Sequence, residues 1–209
     1  SILSFDETRE SKILSLRPDE IEIGGAKAMD SFEKEFFPVR NYIKQNVKSP
    51  DQRYTAYGNA SKSGYRLFVE DLKTGKKKMV PDSADGFAPV WSWDGEYLLF
   101  TVKNGAERDI KIYSRVTNRT ITLFTGKNIE PLTCFSPDSS KIVFIYAKRP
   151  WIMNKEGSNI SLLNRNVRVS NLGLVAWSRS GDSIMLRSTK KGSRYYVFSL
   201  KRKELKILK

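Results

Sequence analysis

The chain has 209 residues, of which 39% are hydrophobic and 29% are charged, and this length and composition indicate one globular domain. It carries a formal net charge of +14, one cysteine and no histidine. A single cysteine excludes an internal disulfide, and the lack of histidine excludes Ser-His-Asp catalysis and His-ligated zinc. The apolar runs are far shorter than the roughly 20 residues that cross a bilayer, and residues 1–9 lack the pattern of a signal peptide.

Residues 1–45 are predicted to form an irregular N-terminal segment. Alternating apolar residues predict a hairpin with strands at 11–16 and 20–23. The spacing of apolar residues over 26–37 predicts a short helix that ends before Pro38. The hairpin resembles the outer strands of a propeller blade whose inner strands are missing.

A unit of strands and turns repeats over residues 46–209. Each copy has a Ser-containing turn, and in three copies an aromatic precedes the Ser, whereas Lys48 stands there in the first. The period of 43, 44 and 42 residues fits one four-stranded propeller blade. The four repeats are predicted to begin near residues 46, 89, 132 and 174. The aligned serines are Ser49, Ser92, Ser136 and Ser178.

Within each repeat, Val, Ile, Tyr and Phe fill three further predicted strands, and polar residues fill the turns between them. Gly58 is one of the glycines assigned to a turn. The predicted strands lie at 53–57, 66–70 and 76–80, at 97–102, 110–114 and 120–124, at 141–146, 151–154 and 160–163, and at 183–187, 194–199 and 204–208.

The best-preserved copies resemble the TolB-type propeller repeat. One has Trp91-Ser92-Trp93-Asp94-Gly95 with the strand Ile110-Lys111-Ile112-Tyr113, and the next has Phe135-Ser136-Pro137-Asp138 with Trp151-Ile152-Met153-Asn154. The resemblance covers residues 46–209. It implies an all-β fold, a β-propeller built from four-stranded antiparallel blades.

Four repeats are countable, whereas TolB-type propellers usually close with six or more blades. Two alternatives are therefore open. In the first, the chain forms a complete four-bladed or irregular five-unit ring. In the second, the chain is incomplete at its N-terminus, and further blades or a partner chain complete the ring.

The motif residues are interpreted as structural. Asp51, Asp94 and Asp138 are expected to bond the backbone of their own turns, and the aromatics before the serines are expected to fill the core between blades. Trp93 replaces the usual Pro of the turn, so it is a candidate exposed binding residue.

The last repeat is strongly basic, since residues 165–209 hold 12 Lys or Arg and 2 Asp or Glu. An acidic partner surface is therefore predicted there. Its candidate residues are Arg179, Arg187, Lys190, Lys191 and Arg194.

The leading hypothesis is a non-catalytic module that binds a protein or peptide partner, expected to be acidic. The alternative is binding of a polyanion, namely nucleic acid, anionic lipid or a wall polymer, with Tyr195, Tyr196 and Trp151 as stacking surfaces. Catalysis is not predicted, because the serines have no histidine partner and no catalytic motif is present, and neither a cofactor nor a metal is expected. The resemblance implies docking in the bacterial cell envelope, hence an extracytoplasmic location.

Overall fold

The structure is a computed structural model that describes residues 46–61, 64–165, 167–168, 175–188 and 194–208. Within these residues, 16 strands form four antiparallel sheets of four strands each. The described residues fall into two compact units, 46–168 with the first three sheets and 175–208 with the fourth.

The first two sheets each use consecutive strands of the chain. The first sheet contains β1 (Asn46–Lys48), β2 (Tyr54–Ser61), β3 (Gly64–Asp71) and β4 (Lys77–Met79). The second contains β5 (Gly86–Trp91), β6 (Tyr97–Asn104), β7 (Glu107–Ser114) and β8 (Arg119–Gly126).

The third and fourth sheets have the same simple meander. The third contains β9 (Ile129–Phe135), β10 (Lys141–Tyr146), β11 (Arg149–Asn154) and β12 (Ser161–Leu162). The fourth contains β13 (Val175–Trp177), β14 (Ser183–Ser188), β15 (Arg194–Ser199) and β16 (Glu204–Leu208). The predicted all-β class with four-stranded antiparallel blades is therefore confirmed.

The strands predicted at residues 53–208 are all present. Several are longer than predicted because cross-strand pairing continues beyond the apolar alternation, and those predicted at 76–80 and 160–163 are shorter. The largest difference between a predicted and an observed strand end is at β2, which continues through Gly58. This glycine pairs with Leu67 instead of forming a turn. A Cβ on Gly58 would lie 1.7 Å from the Tyr65 hydroxyl oxygen, so the glycine makes room for that ring.

The core of the unit 46–168 consists of two apolar layers between successive sheets. The first layer joins the first and second sheets through residues such as Ala56, Leu67 and Phe100. The second joins the second and third sheets through residues such as Leu99, Ile142 and Phe144. The second sheet therefore buries both of its faces.

The predicted N-terminal hairpin at 11–16 and 20–23 and the predicted helix at 26–37 lie outside the described residues. The division into a segment 1–45 and repeats 46–209 stays a prediction.

Candidate functional site

The Ser-containing turns repeat at the same end of each sheet, and their side chains bond their own backbone. In the first turn, Ser49 Oγ accepts from the Tyr54 amide at 2.9 Å and donates to Asp51 Oδ1 at 2.5 Å. Asp51 Oδ1 also accepts from the Arg53 amide at 3.1 Å. These bonds tie together both sides of the turn between β1 and β2, so the predicted turn role of Asp51 is confirmed.

The same bonds recur in the second and third turns. Asp94 Oδ1 accepts from Ser92 Oγ at 2.5 Å and from the Glu96 amide at 2.9 Å. Asp138 Oδ1 accepts from Ser136 Oγ at 2.5 Å and from the Ser140 amide at 3.1 Å. The predicted turn roles of Asp94 and Asp138 are confirmed.

The fourth turn keeps the geometry without the carboxylate. Ser180 stands where the other turns have Asp, and its hydroxyl lies 3.1 Å from Ser178 Oγ. Ser178 Oγ still accepts from the Ser183 amide at 3.0 Å. The four aligned serines are between 0% and 3% exposed, so none presents its hydroxyl to a substrate in solution.

Hydrogen bonding lowers the pKa of two turn carboxyl groups. The bond from Ser49 is the main cause for Asp51. Burial by itself raises the pKa of Asp138, but the bonds from Ser136 and Ser140 outweigh it and the net shift is downward. Both groups are therefore held as carboxylates, which is the form that accepts the turn amides.

The aromatic that precedes three of the four serines is a core residue, as predicted. Trp91, Phe135 and Trp177 are each 2% exposed. Trp91 Nε1 also donates to the Val47 carbonyl of β1 at 3.0 Å, which links the second sheet to the first. Trp177 Nε1 is buried and has no hydrogen-bond partner among the residues that the structure describes.

Trp93 is less exposed than its place in a turn predicts. Its ring is half-buried and packs against the apolar layer between the second and third sheets. Its amide donates to Ser139 Oγ of the next turn at 3.0 Å. Trp93 therefore supports the contact between two sheets and presents only part of the indole to a partner.

Cations stack over tyrosines where neighbouring sheets meet at this end, and the sequence did not reveal them. Arg115 lies 4.2 Å from the centre of the Tyr54 ring and donates to the Tyr54 hydroxyl at 3.1 Å. Lys155 lies 4.7 Å from the centre of the Tyr97 ring. Each cation directly follows the third strand of its sheet, and each tyrosine begins the second strand of the preceding sheet. The two pairs are therefore equivalent cation–π contacts, each of which links two neighbouring sheets.

The candidate basic residues of the fourth sheet do not form one patch. Arg179 is exposed in the turn that precedes β14, whereas Arg187 lies near the far end of β14 and Arg194 begins β15. The four steps along β14 from Ser183 to Arg187 alone span about 13 Å. Lys190 and Lys191 lie outside the described residues. The backbone thus brings Arg187 and Arg194 to one end of the sheet and leaves Arg179 at the other.

In the described part of the chain, no three Asp, Glu, His or Cys side chains come together in a way that could hold a metal ion. No helix among the same residues is long and apolar enough to cross a membrane.

Solved structures with a similar fold include TolB from Acinetobacter baumannii, which is 18% identical with a TM-score of 0.59 and matches over 78% of this chain and 42% of its own. Oligogalacturonate lyase in complex with manganese is 16% identical with a TM-score of 0.58, over 78% of this chain and 52% of its own. The β-propeller domain of the Trilobed protease from Pyrococcus furiosus is 16% identical with a TM-score of 0.61, over 80% and 57%.

The likeness establishes the fold: the chain has the β-propeller fold of TolB-type proteins, and it spans about half the length of these three structures. The similar structures include enzymes as well as TolB. No protein-family model and no curated protein sequence matches the chain.

Proposed function

We propose that this chain is a non-catalytic β-propeller module that binds a protein or peptide partner. The observation that carries the proposal is the use of the repeated Ser and Asp side chains. The four serines are at most 3% exposed and bond their own turns, and three of the turns also bind an Asp carboxylate. Residue types that supply chemistry in other proteins stabilise the turns within each sheet here, which favours a role in binding.

The partner is proposed to be acidic, because the net charge is +14. An extracytoplasmic location, at the cell envelope or in the periplasm, is proposed on the resemblance to TolB-type propellers. The similarity in fold to TolB from Acinetobacter baumannii supports this hypothesis.

A selection from a random peptide library tests the proposal. The immobilised 209-residue chain is exposed to displayed peptides of about 12 residues, and enriched peptides are resynthesised for fluorescence anisotropy. Enrichment of related acidic peptides with micromolar or tighter dissociation constants is expected. Failure to enrich any peptide over successive rounds would refute a peptide-binding function.

The polyanion alternative is favoured by the same net charge and is separated by its salt dependence. Binding of a generic single-stranded oligonucleotide is measured from low to physiological salt. If the binding site is a true polyanion site, affinity falls with a steady slope and stays measurable at physiological salt. Complete loss at moderate salt, with no dependence on length, means nonspecific charge attraction.

A further inference from the structure

One face of the first sheet differs in chemistry from the corresponding face of the other three sheets. Three positions define this face, namely the residue before the aligned serine and the residues six and eight places after that serine. In the second sheet they are Trp91, Leu98 and Phe100, which are 2%, 0% and 0% exposed. They pack on the first sheet as part of the apolar layer between the two.

The third and fourth sheets repeat this apolar pattern. Their residues are Phe135, Ile142 and Phe144, and Trp177, Ile184 and Leu186, and all six are between 0% and 2% exposed. The second, third and fourth sheets are therefore all built to bury this face.

The first sheet has Lys48, Thr55 and Tyr57 at the same three positions. Lys48 is exposed, and Thr55 and Tyr57 are half-buried. A lysine in place of a buried Trp or Phe is unsuited to burial beneath another apolar sheet. Terminal units of repeat proteins have polar faces of this kind, and this face of the first sheet differs in the same way from the apolar faces of the other three sheets.

An apolar row nevertheless crosses the middle of this polar face. Tyr57 of β2 pairs with Phe68 of β3, which pairs with Met79 of β4. The Tyr57 and Phe68 rings stack with centres 6.0 Å apart and an interplanar angle of 20°. Met79 is 53% exposed. An aromatic pair beside an exposed methionine is typical of the centre of a protein interface.

Charged residues surround this apolar row, and the cations are in excess. Lys77 lies 5.9 Å from the centre of the Tyr57 ring and 3.5 Å from a carboxylate oxygen of Glu70. Strand pairing places Lys48 and Arg66 on the same face, and among the described residues of this face Glu70 is the single acidic one. The face therefore carries an apolar centre with a net positive margin.

We infer that this face docks an amphipathic acidic segment of a protein partner. Apolar side chains of the partner cover the row Tyr57-Phe68-Met79, and its carboxylates lie toward Lys48, Arg66 and Lys77. The inference rests on the proposed peptide-binding function and names the surface and the partner chemistry. We call this surface the Tyr57 face.

The peptides selected in the library experiment are the probe, measured by fluorescence anisotropy against two pairs of variants. Met79→Thr is matched by Ile121→Thr, because Met79 and Ile121 are 53% and 52% exposed on the outer strands of their sheets. Lys48→Glu is matched by Lys73→Glu, since Lys73 is an exposed residue of the turn between β3 and β4. Unfolding midpoints of all four variants show that each is folded.

Met79→Thr and Lys48→Glu are each expected to weaken peptide binding about fivefold or more, which corresponds to about 1 kcal/mol, while the two control variants change it less than twofold. Selected peptides that bind all four variants equally well would overturn the inference and leave the proposed function standing. Light scattering supplies a further outcome, because a dimer that Met79→Thr converts to a monomer would identify a second copy as the occupant and also overturn it. Failure to select any peptide would refute the proposed function itself.

Discussion

The turn bonds of Ser49 predict a measurable loss of stability in Ser49→Ala. The serine is 0% exposed, and its Oγ accepts from the buried Tyr54 amide at 2.9 Å. Alanine leaves that amide without its acceptor and removes the hydroxyl donor to Asp51. An orphaned buried donor costs about 1–3 kcal/mol, and a lost hydrogen bond to a charged group adds about 1 kcal/mol at this exposed carboxylate. The expected total is about 2–4 kcal/mol.

The loss has a pH-dependent part, because Ser49 is the main cause of the lowered pKa of Asp51. A carboxyl group whose pKa is lowered by folding contributes stability above its unfolded pKa, and this stability is lost as pH falls through the folded pKa. The reference pKa is 3.8. The difference between wild type and Ser49→Ala is therefore expected to be constant at neutral pH and to shrink below about pH 4.

Urea unfolding followed by circular dichroism measures both parts, at pH 7 and at steps down to pH 3. Ser180→Ala is the matched control, because Ser180 is exposed and stands at the Asp position of the fourth turn without a charge. It is expected to cost less than about 1 kcal/mol with no acid-dependent part. Equal costs for the two variants, or a difference for Ser49→Ala that stays constant down to pH 3, would refute the reasoning.

Three further predictions concern unfolding midpoints in urea. Trp91→Phe is expected to cost about 1 kcal/mol more than Trp177→Phe, because the Trp91 indole N–H donates to a carbonyl and that of Trp177 has no acceptor among the described residues; equal costs would show that this bond adds nothing. Ala147→Asn with Lys148→Gly is expected to stabilise the chain by about 1–2 kcal/mol, since both residues have positive φ, 50° and 61°, in a two-residue hairpin that favours Asn-Gly. A lower midpoint would contradict the strained turn. Gln52→Gly, at φ 61°, is expected to gain about 0.5–1 kcal/mol, and no gain would mean that the Gln52 side chain compensates its backbone strain.

The local fold could be predicted from the sequence because it depends on neighbours along the chain. The strand Lys141–Tyr146 appears with its predicted bounds, since its apolar residues mark a strand without reference to any distant residue. The turn role of Asp51 was equally predictable, because the atoms that it bonds belong to Ser49 and Arg53.

The contacts between sheets could not be predicted in this way. Arg115 bonds the hydroxyl of Tyr54, which is 61 residues away, and nothing local to either residue indicates the pair. A lone glycine commonly interrupts a strand, so the sequence predicts a turn at Gly58, whereas in the structure this glycine makes room for the Tyr65 ring. The half-burial of Trp93 likewise depends on the next sheet.

The candidate binding residues show the same contrast between features that depend on neighbours along the chain and features that depend on distant residues. The sequence by itself determined that the chain is a set of four β-sheet repeats and that the last repeat is basic, because period and composition are properties of the chain alone. The predicted strand at 183–187 already separates Arg179 from Arg187, whereas only the tertiary structure decided that Tyr57, Phe68 and Met79 form one row. Cross-strand register determines which side chains share a face, and that register exists only once the strands have paired.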